Sequence, residues 1–146
     1  MPPRTCLLAV DTNPGNLTAL KRTLAREGFD VQPTRGVTEA RTLIERAGRV
    51  DFALLDAVGL GSDTWPLAKA LAEQDIAFAV LSSPQYPDHR RRLLQAGGRC
   101  LLNKPVQVEE LVLLIRSELD QARDTEIIPD TDEDVDPDPA LKMEES

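Results

Sequence analysis

Histidine is nearly absent from this chain. His89 stands alone among 146 residues, which excludes a histidine triad and any metal centre built on several imidazoles. Cysteine is almost as scarce. Cys6 and Cys100 fall in separate apolar segments and form no CxxC pattern, so they read as reduced core residues of a cytosolic protein. No apolar run approaches the length of a membrane span, and the run CLLAV before Asp11 is too short for a signal peptide. A cytoplasmic location with no membrane partner is the expectation. Gly59-Leu60-Gly61 falls short of a dinucleotide fingerprint, because the third glycine is replaced by Thr64 and the loop follows the third apolar run, not the first. There is no Walker lysine either, so no nucleotide site is expected. Arg90, Arg91 and Arg92 form only one short basic run, which gives no stripe for direct DNA binding.

What the chain has in excess is acid, and it is unevenly spread. Residues 124–146 hold ten acids and one lysine, a net −9, while the preceding 15 acids and 16 Lys or Arg leave the body at +1. The segment PDTDEDVDPDP is rich in proline and poor in apolar residues, the composition of a disordered tail or linker. Asp130, Asp132 and Asp134 imitate the opening of a calcium loop. Val135 replaces the required turn glycine and Leu141 the closing glutamate, so calcium binding is not expected. The expected organisation is one folded domain over residues 1–123 and an acidic tail over 124–146.

Within the body, apolar runs alternate with helical patterns five times. The strands read as CLLAV (6–10), FDVQP (29–33), DFALLD (51–56), IAFAVLS (76–82) and RCLLN (99–103). The first helix has Asn13 as cap, Pro14 at its first position, Leu17, Leu20 and Leu24 on one face and Gly28 just past its end. Thr38 is the expected cap of the second, with Ala40, Leu43, Ile44 and Ala47 inward and Gly48 closing it. The third begins near Asp63 to Pro66 and turns Leu67, Ala70 and Leu71 inward. The fourth runs from near Pro87 to Gly97-Gly98, and the fifth aligns Val108, Leu111, Val112, Ile115 and Leu119. His89 and the arginines after it read as a solvated helix face or a docking face, and Trp65 beside Pro66 reads as packing.

Strands alternating with helices imply right-handed crossovers and a parallel sheet covered on both faces. Five such units in about 120 residues imply a flavodoxin-like (βα)5 three-layer sandwich with strand order 2-1-3-4-5. The ligand site of that fold lies where the order switches, at the carboxyl ends of strands 1 and 3. Asp11 and Asp56 stand at those two ends, Ser82 ends strand 4, and Lys104 follows strand 5 just before Pro105. Two acids, a hydroxyl and an ammonium in one crevice can hold a cation together with an anion. Carboxylates and a loop carbonyl suit Mg²⁺, and the lysine and hydroxyl suit phosphate oxygens.

Over residues 5–120 the chain resembles the receiver domain of two-component response regulators. LLAVDTNPGNLTAL is similar to its first strand and acidic turn, FALLDAVGLGSD to its phosphoacceptor strand and loop, VLSS to its switch-hydroxyl strand, and AGGRCLLNKPV to its last strand with a Lys-Pro pair. The resemblance implies that Asp56 accepts a phosphoryl group from a sensor histidine kinase or phosphotransfer protein. It implies that Lys104 contacts the phosphate, that Ser82 is the switch, that Mg²⁺ is held by Asp11, Asp56 and the Val58 carbonyl, and that the Lys104–Pro105 peptide is cis. The protein is then a signalling domain, an enzyme at most for its own phosphotransfer and dephosphorylation. Its output goes through protein contacts, including a homodimer, on the face of the fourth helix, fifth strand and fifth helix, where Leu101, Tyr86, His89 and Arg90 fall.

Three departures stand beside the resemblance. Receivers end strand 1 with two adjacent acids, and here the second is Thr12, which implies weak Mg²⁺ binding. The Met-Pro pair after the phosphoacceptor is Gly59-Leu60, which implies a looser loop. The aromatic switch of strand 5 is Leu101, which has no polar tip, although Tyr86 lies close enough in the chain to substitute. These departures point to an alternative, a phosphorylation-independent pseudo-receiver that works as an interaction module.

Overall fold

Five parallel strands, ordered β2-β1-β3-β4-β5, make the single sheet of the computed structural model, which describes residues 4–46 and 49–127. In chain order the elements are β1 (Thr5–Val10), α1 (Pro14–Arg26), β2 (Phe29–Thr34), α2 (Val37–Arg46), β3 (Phe52–Asp56), α3 (Ala57–Leu60), a 3-10 turn (Gly61–Asp63), α4 (Thr64–Glu73), β4 (Ala77–Ser82), α5 (His89–Gln95), β5 (Cys100–Asn103) and α6 (Val108–Ile127). The flavodoxin-like order expected from the sequence is the order observed. Two units are distinguished, Met1–Ile115, which carries the sheet and every residue discussed below, and Arg116–Ser146, described only as helix to Ile127. The rest of the expected acidic tail lies outside the described residues, as do Ala47 and Gly48, expected at the end of the second helix.

The central strand β3 is buried at all five positions, as a strand covered on both faces must be. Leu8, Val10, Ala53, Leu55, Phe78 and Val80 join Ala40, Leu67, Leu71 and Leu93 in one apolar cluster. Strand alternation sends Leu7, Ala9, Leu54, Ala79 and Leu81 to the opposite face. Each fully buried leucine contributes about 1.5–3 kcal/mol. β2 alternates instead between buried Phe29 and Val31 and exposed Asp30 and Gln32, and Pro33 is tolerated there because β2 is an edge strand. The start of β3 is pinned to β1 by Asp51, whose carboxylate accepts from the Cys6 amide at 2.8 Å and pairs with Arg49.

Helix ends follow the sequence closely, with two corrections. Asn13 caps α1 by accepting from the Gly15 and Asn16 amides, and Pro14 opens the helix. α5 ends where expected, with Gly97 at φ 95°, a conformation that favours glycine. Thr38 is not a cap. α2 begins one residue before it, the Ala40 amide bonds to the Gly36 carbonyl, and the Glu39 carboxylate accepts from the Arg35 amide, so the capping is done without Thr38. The segment after Asp56, expected as a glycine-loosened loop, is the helical turn α3. Leu60 joins the core cluster, and that burial draws the turn down onto the sheet.

Candidate functional site

The carboxyl ends of β1, β3, β4 and β5 bring Asp11, Asp56, Ser82 and Lys104 to one edge of the sheet. Asp56 closes β3 in register with Leu81, and Ser82 closes β4 in register with Asn103. The Lys104 amide donates to the Ser82 carbonyl at 2.9 Å, which ties the end of β5 to the end of β4. The Lys104–Pro105 peptide is cis.

Asp56 is 4% exposed, and it occupies the N-cap position of α3 without making a side-chain cap hydrogen bond. Its carboxylate is therefore not a helix cap. The Lys104 ammonium lies 2.8 Å from Oδ1, the distance of a direct ion pair. Apart from that ammonium, the buried Oδ1 has no hydrogen-bond partner among the described residues. A desolvated carboxylate oxygen held by a single ammonium is costly to bury and is open to a further partner.

Asp11 is also buried, at 3% exposure. Its Oδ1 accepts from the Asn13 amide at 2.9 Å and its Oδ2 from the Asn16 side-chain amide at 3.3 Å. Burial raises its pKa above the ordinary aspartate value, and the neighbouring Asp56 charge adds to that. The two hydrogen bonds and Lys104 oppose the shift without cancelling it. The two acids therefore sense one another electrostatically.

Gly59 forms the floor beside them. A Cβ built there would lie 2.5 Å from Thr12 Oγ1 and 2.8 Å from Asp56 Oδ2. Thr12 thus reaches in beside Asp56, and only a glycine leaves it room. Among the described residues no group of three or more His, Cys, Asp or Glu side chains could hold a metal. Two carboxylates still suit hydrated Mg²⁺, which needs one or two of them and completes its shell with water and phosphate oxygens. Asp56 Oδ1, held by the Lys104 ammonium alone, fits that role. Val58, expected to supply a carbonyl, sits within α3 with an exposed side chain.

Ser82 is fully buried, and among the described residues its hydroxyl bonds to His89 Nδ1 at 2.6 Å and to the Ser83 carbonyl at 3.4 Å. His89 is not on a solvated face. It is 9% exposed, and its ring stacks on Tyr86 at 4.8 Å and meets the edge of Trp65 at 5.2 Å. Burial lowers its pKa, which favours the neutral ring, while Asp88 and Arg92 pull in opposite directions. The basic run misled because its arginines are exposed. The signal for His89 was in the spacing, since His89, Leu93 and Ala96 share one helix face and all three are buried. Of the other residues expected on a docking face, Tyr86 and Arg90 are exposed and Leu101 is half-buried.

Comparisons with solved structures bear on the fold. A response regulator receiver domain protein, CheY-like, from Methanospirillum hungatei JF-1 superposes with a TM-score of 0.77 at 21% identity, over 84% of this chain and 98% of its own. A response regulator from Thermotoga maritima gives 0.71 at 23% identity, over 81% and 99%. A two-component response regulator from Clostridium difficile gives 0.74 at 22%, over 82% and 98%. This chain has the receiver-domain fold. No family model matches it, and no curated protein sequence does. Among the described residues of this receiver fold, no helix is long and apolar enough to cross a membrane.

Proposed function

We propose that the chain is a phosphoacceptor signalling domain in which Asp56 receives a phosphoryl group from a phosphohistidine on a sensor kinase or phosphotransfer protein. The observation that carries this reading is the Lys104–Asp56 pair, a buried carboxylate oxygen whose one partner among the described residues is an ammonium at 2.8 Å. An Asp56 oxygen attacks phosphorus, the P–N bond of the donor breaks as the P–O bond forms, and the leaving imidazole nitrogen keeps the electron pair. Lys104 offsets charge on the phosphoryl oxygens as a mobile point charge. Asp11 and Asp56, with the Val58 carbonyl, would hold Mg²⁺, which when bound neutralises phosphoryl charge as a Lewis acid. The product carries close to two negative charges at the sheet edge where the carboxylate carried one. That change biases the β4 end and α5 toward a form read by a protein partner around Tyr86, Arg90 and Leu101.

Intact mass after incubation with acetyl phosphate, with and without Mg²⁺, tests this reading. One added phosphoryl group is expected in the wild type with Mg²⁺ and none in Asp56→Asn. Equal incorporation in the two proteins sinks it. A phosphorylation-independent interaction module is the second reading, and Thr12 together with the engagement of Ser82 by His89 favours it. Millimolar Mg²⁺ binding, followed through Trp65 fluorescence, counts against that second reading.

A further inference from the structure

The chain contains one histidine, one tyrosine and one tryptophan, and all three meet beside Ser82. Ser82 Oγ lies 2.6 Å from His89 Nδ1, a short bond between two buried groups. Behind His89 the ring of Tyr86 lies nearly parallel, at 8°, and it is 40% exposed. Contacts therefore run from Asp56 through Lys104 and the Ser82 backbone to His89, and out to a tyrosine at the surface. Leu101, the strand residue at the receiver's aromatic switch position, has no polar atom with which to take part.

We propose that His89 is the positioning residue of Ser82: its Nδ1 accepts the hydroxyl and holds it off Asp56, and a phosphoryl group on Asp56 competes for that same hydroxyl and releases His89 with the Tyr86 ring stacked on it. This rests on the phosphoacceptor reading. A serine hydroxyl has one proton and donates to one acceptor at a time; of the two acceptors within reach, it goes to His89 Nδ1 at 2.6 Å and not to the Ser83 carbonyl at 3.4 Å. A charged phosphoryl oxygen is a stronger acceptor than a neutral imidazole, so the exchange runs forward on phosphorylation. A surface cavity of about 420 Å³, lined by Trp65, Tyr86, His89 and Arg92 among others, leaves the freed rings room to move. The coupling that a strand aromatic cannot supply here is thereby carried by a helix histidine.

A single histidine makes the test unambiguous by imidazole ¹⁵N NMR on the full chain. In the unphosphorylated protein, Ser82→Ala is expected to move the Nδ1 resonance of His89, and an unmoved resonance overturns the proposal. After acetyl phosphate and Mg²⁺, the wild-type resonance is expected to move to the Ser82→Ala position as the mass gains a phosphoryl group. A mass gain with Nδ1 unmoved overturns the exchange alone. No mass gain defeats the phosphoacceptor reading and the exchange with it, and the mass spectrum tells these failures apart. His89→Leu, which removes the competing acceptor, is expected to raise the steady-state phosphorylated fraction roughly fivefold, while His89→Gln, which keeps an acceptor, stays near wild type. Equal behaviour of the two variants assigns His89 to packing only and overturns the proposal.

Discussion

Lys104 Nζ sits 2.8 Å from Asp56 Oδ1, and the lysine side chain is one-third exposed while the carboxylate is buried. The pair is therefore asymmetric. Losing the ammonium leaves a buried carboxylate without compensation, whereas losing the carboxylate leaves a lysine that can turn to solvent. Lys104→Met is expected to lower the unfolding free energy by about 1–2 kcal/mol, and by markedly less in an Asp56→Asn background. Urea denaturation of the four proteins of this cycle measures the coupling. Additive effects would show that the two side chains are independent.

Asp11 gives a pH dependence of definite sign. Its folded pKa is raised, chiefly by burial, above the ordinary value of 3.8. The folded state thus holds its proton more tightly than the unfolded chain does. The favourable contribution is fully present below the unfolded value and is lost as pH rises through the raised one. Asp11→Asn is expected to stabilise the protein by about 0.5–2 kcal/mol at pH 7, with the advantage disappearing below pH ~4. Thermal unfolding across pH 3–8 is the measurement, and a gain that persists undiminished at acid pH contradicts the assignment.

Gly59 is required for space. Gly59→Ala puts a methyl group against Thr12 Oγ1 and Asp56 Oδ2. The expected cost is about 1–3 kcal/mol of overpacking. Adding Thr12→Ala removes the nearer clash and should return part of the loss. If the double variant is no more stable than Gly59→Ala alone, the close approach to Thr12 is not the cause.

Thr12 also limits the metal site. Restoring an acid with Thr12→Asp is expected to tighten Mg²⁺ by roughly 10–100-fold, the scale on which a partner at a metal site matters. Calorimetric titration with MgCl₂ reads this directly. Unchanged affinity would place Mg²⁺ elsewhere or nowhere on the protein.

Much of this was legible before any coordinates. β1, β2, β3, β4 and β5 begin and end within a residue of the segments read from the sequence, because strands buried on both faces, β3 above all, leave an unbroken apolar signature and the edge strand β2 leaves an alternating one. The cap of α1 was readable because Asn13-Pro14 carries its own chemistry. The turn after Asp56 was misread because Gly59-Leu60-Gly61 looks permissive in isolation. Burial of Leu60 against the core, a contact with distant residues, makes it helical. Thr38 failed as a cap because Gly36 and Glu39 satisfy that helix start instead.

The sequence alone determined which segments are strands and which polar residues stand at their carboxyl ends, since hydrophobic period and chain connectivity are local properties. The tertiary structure decided which atoms those residues touch. Ser82 reaches His89 seven positions along and Asp56 reaches Lys104 across the sheet, because the direction of a side chain is set by what packs around it and not by its place in the chain.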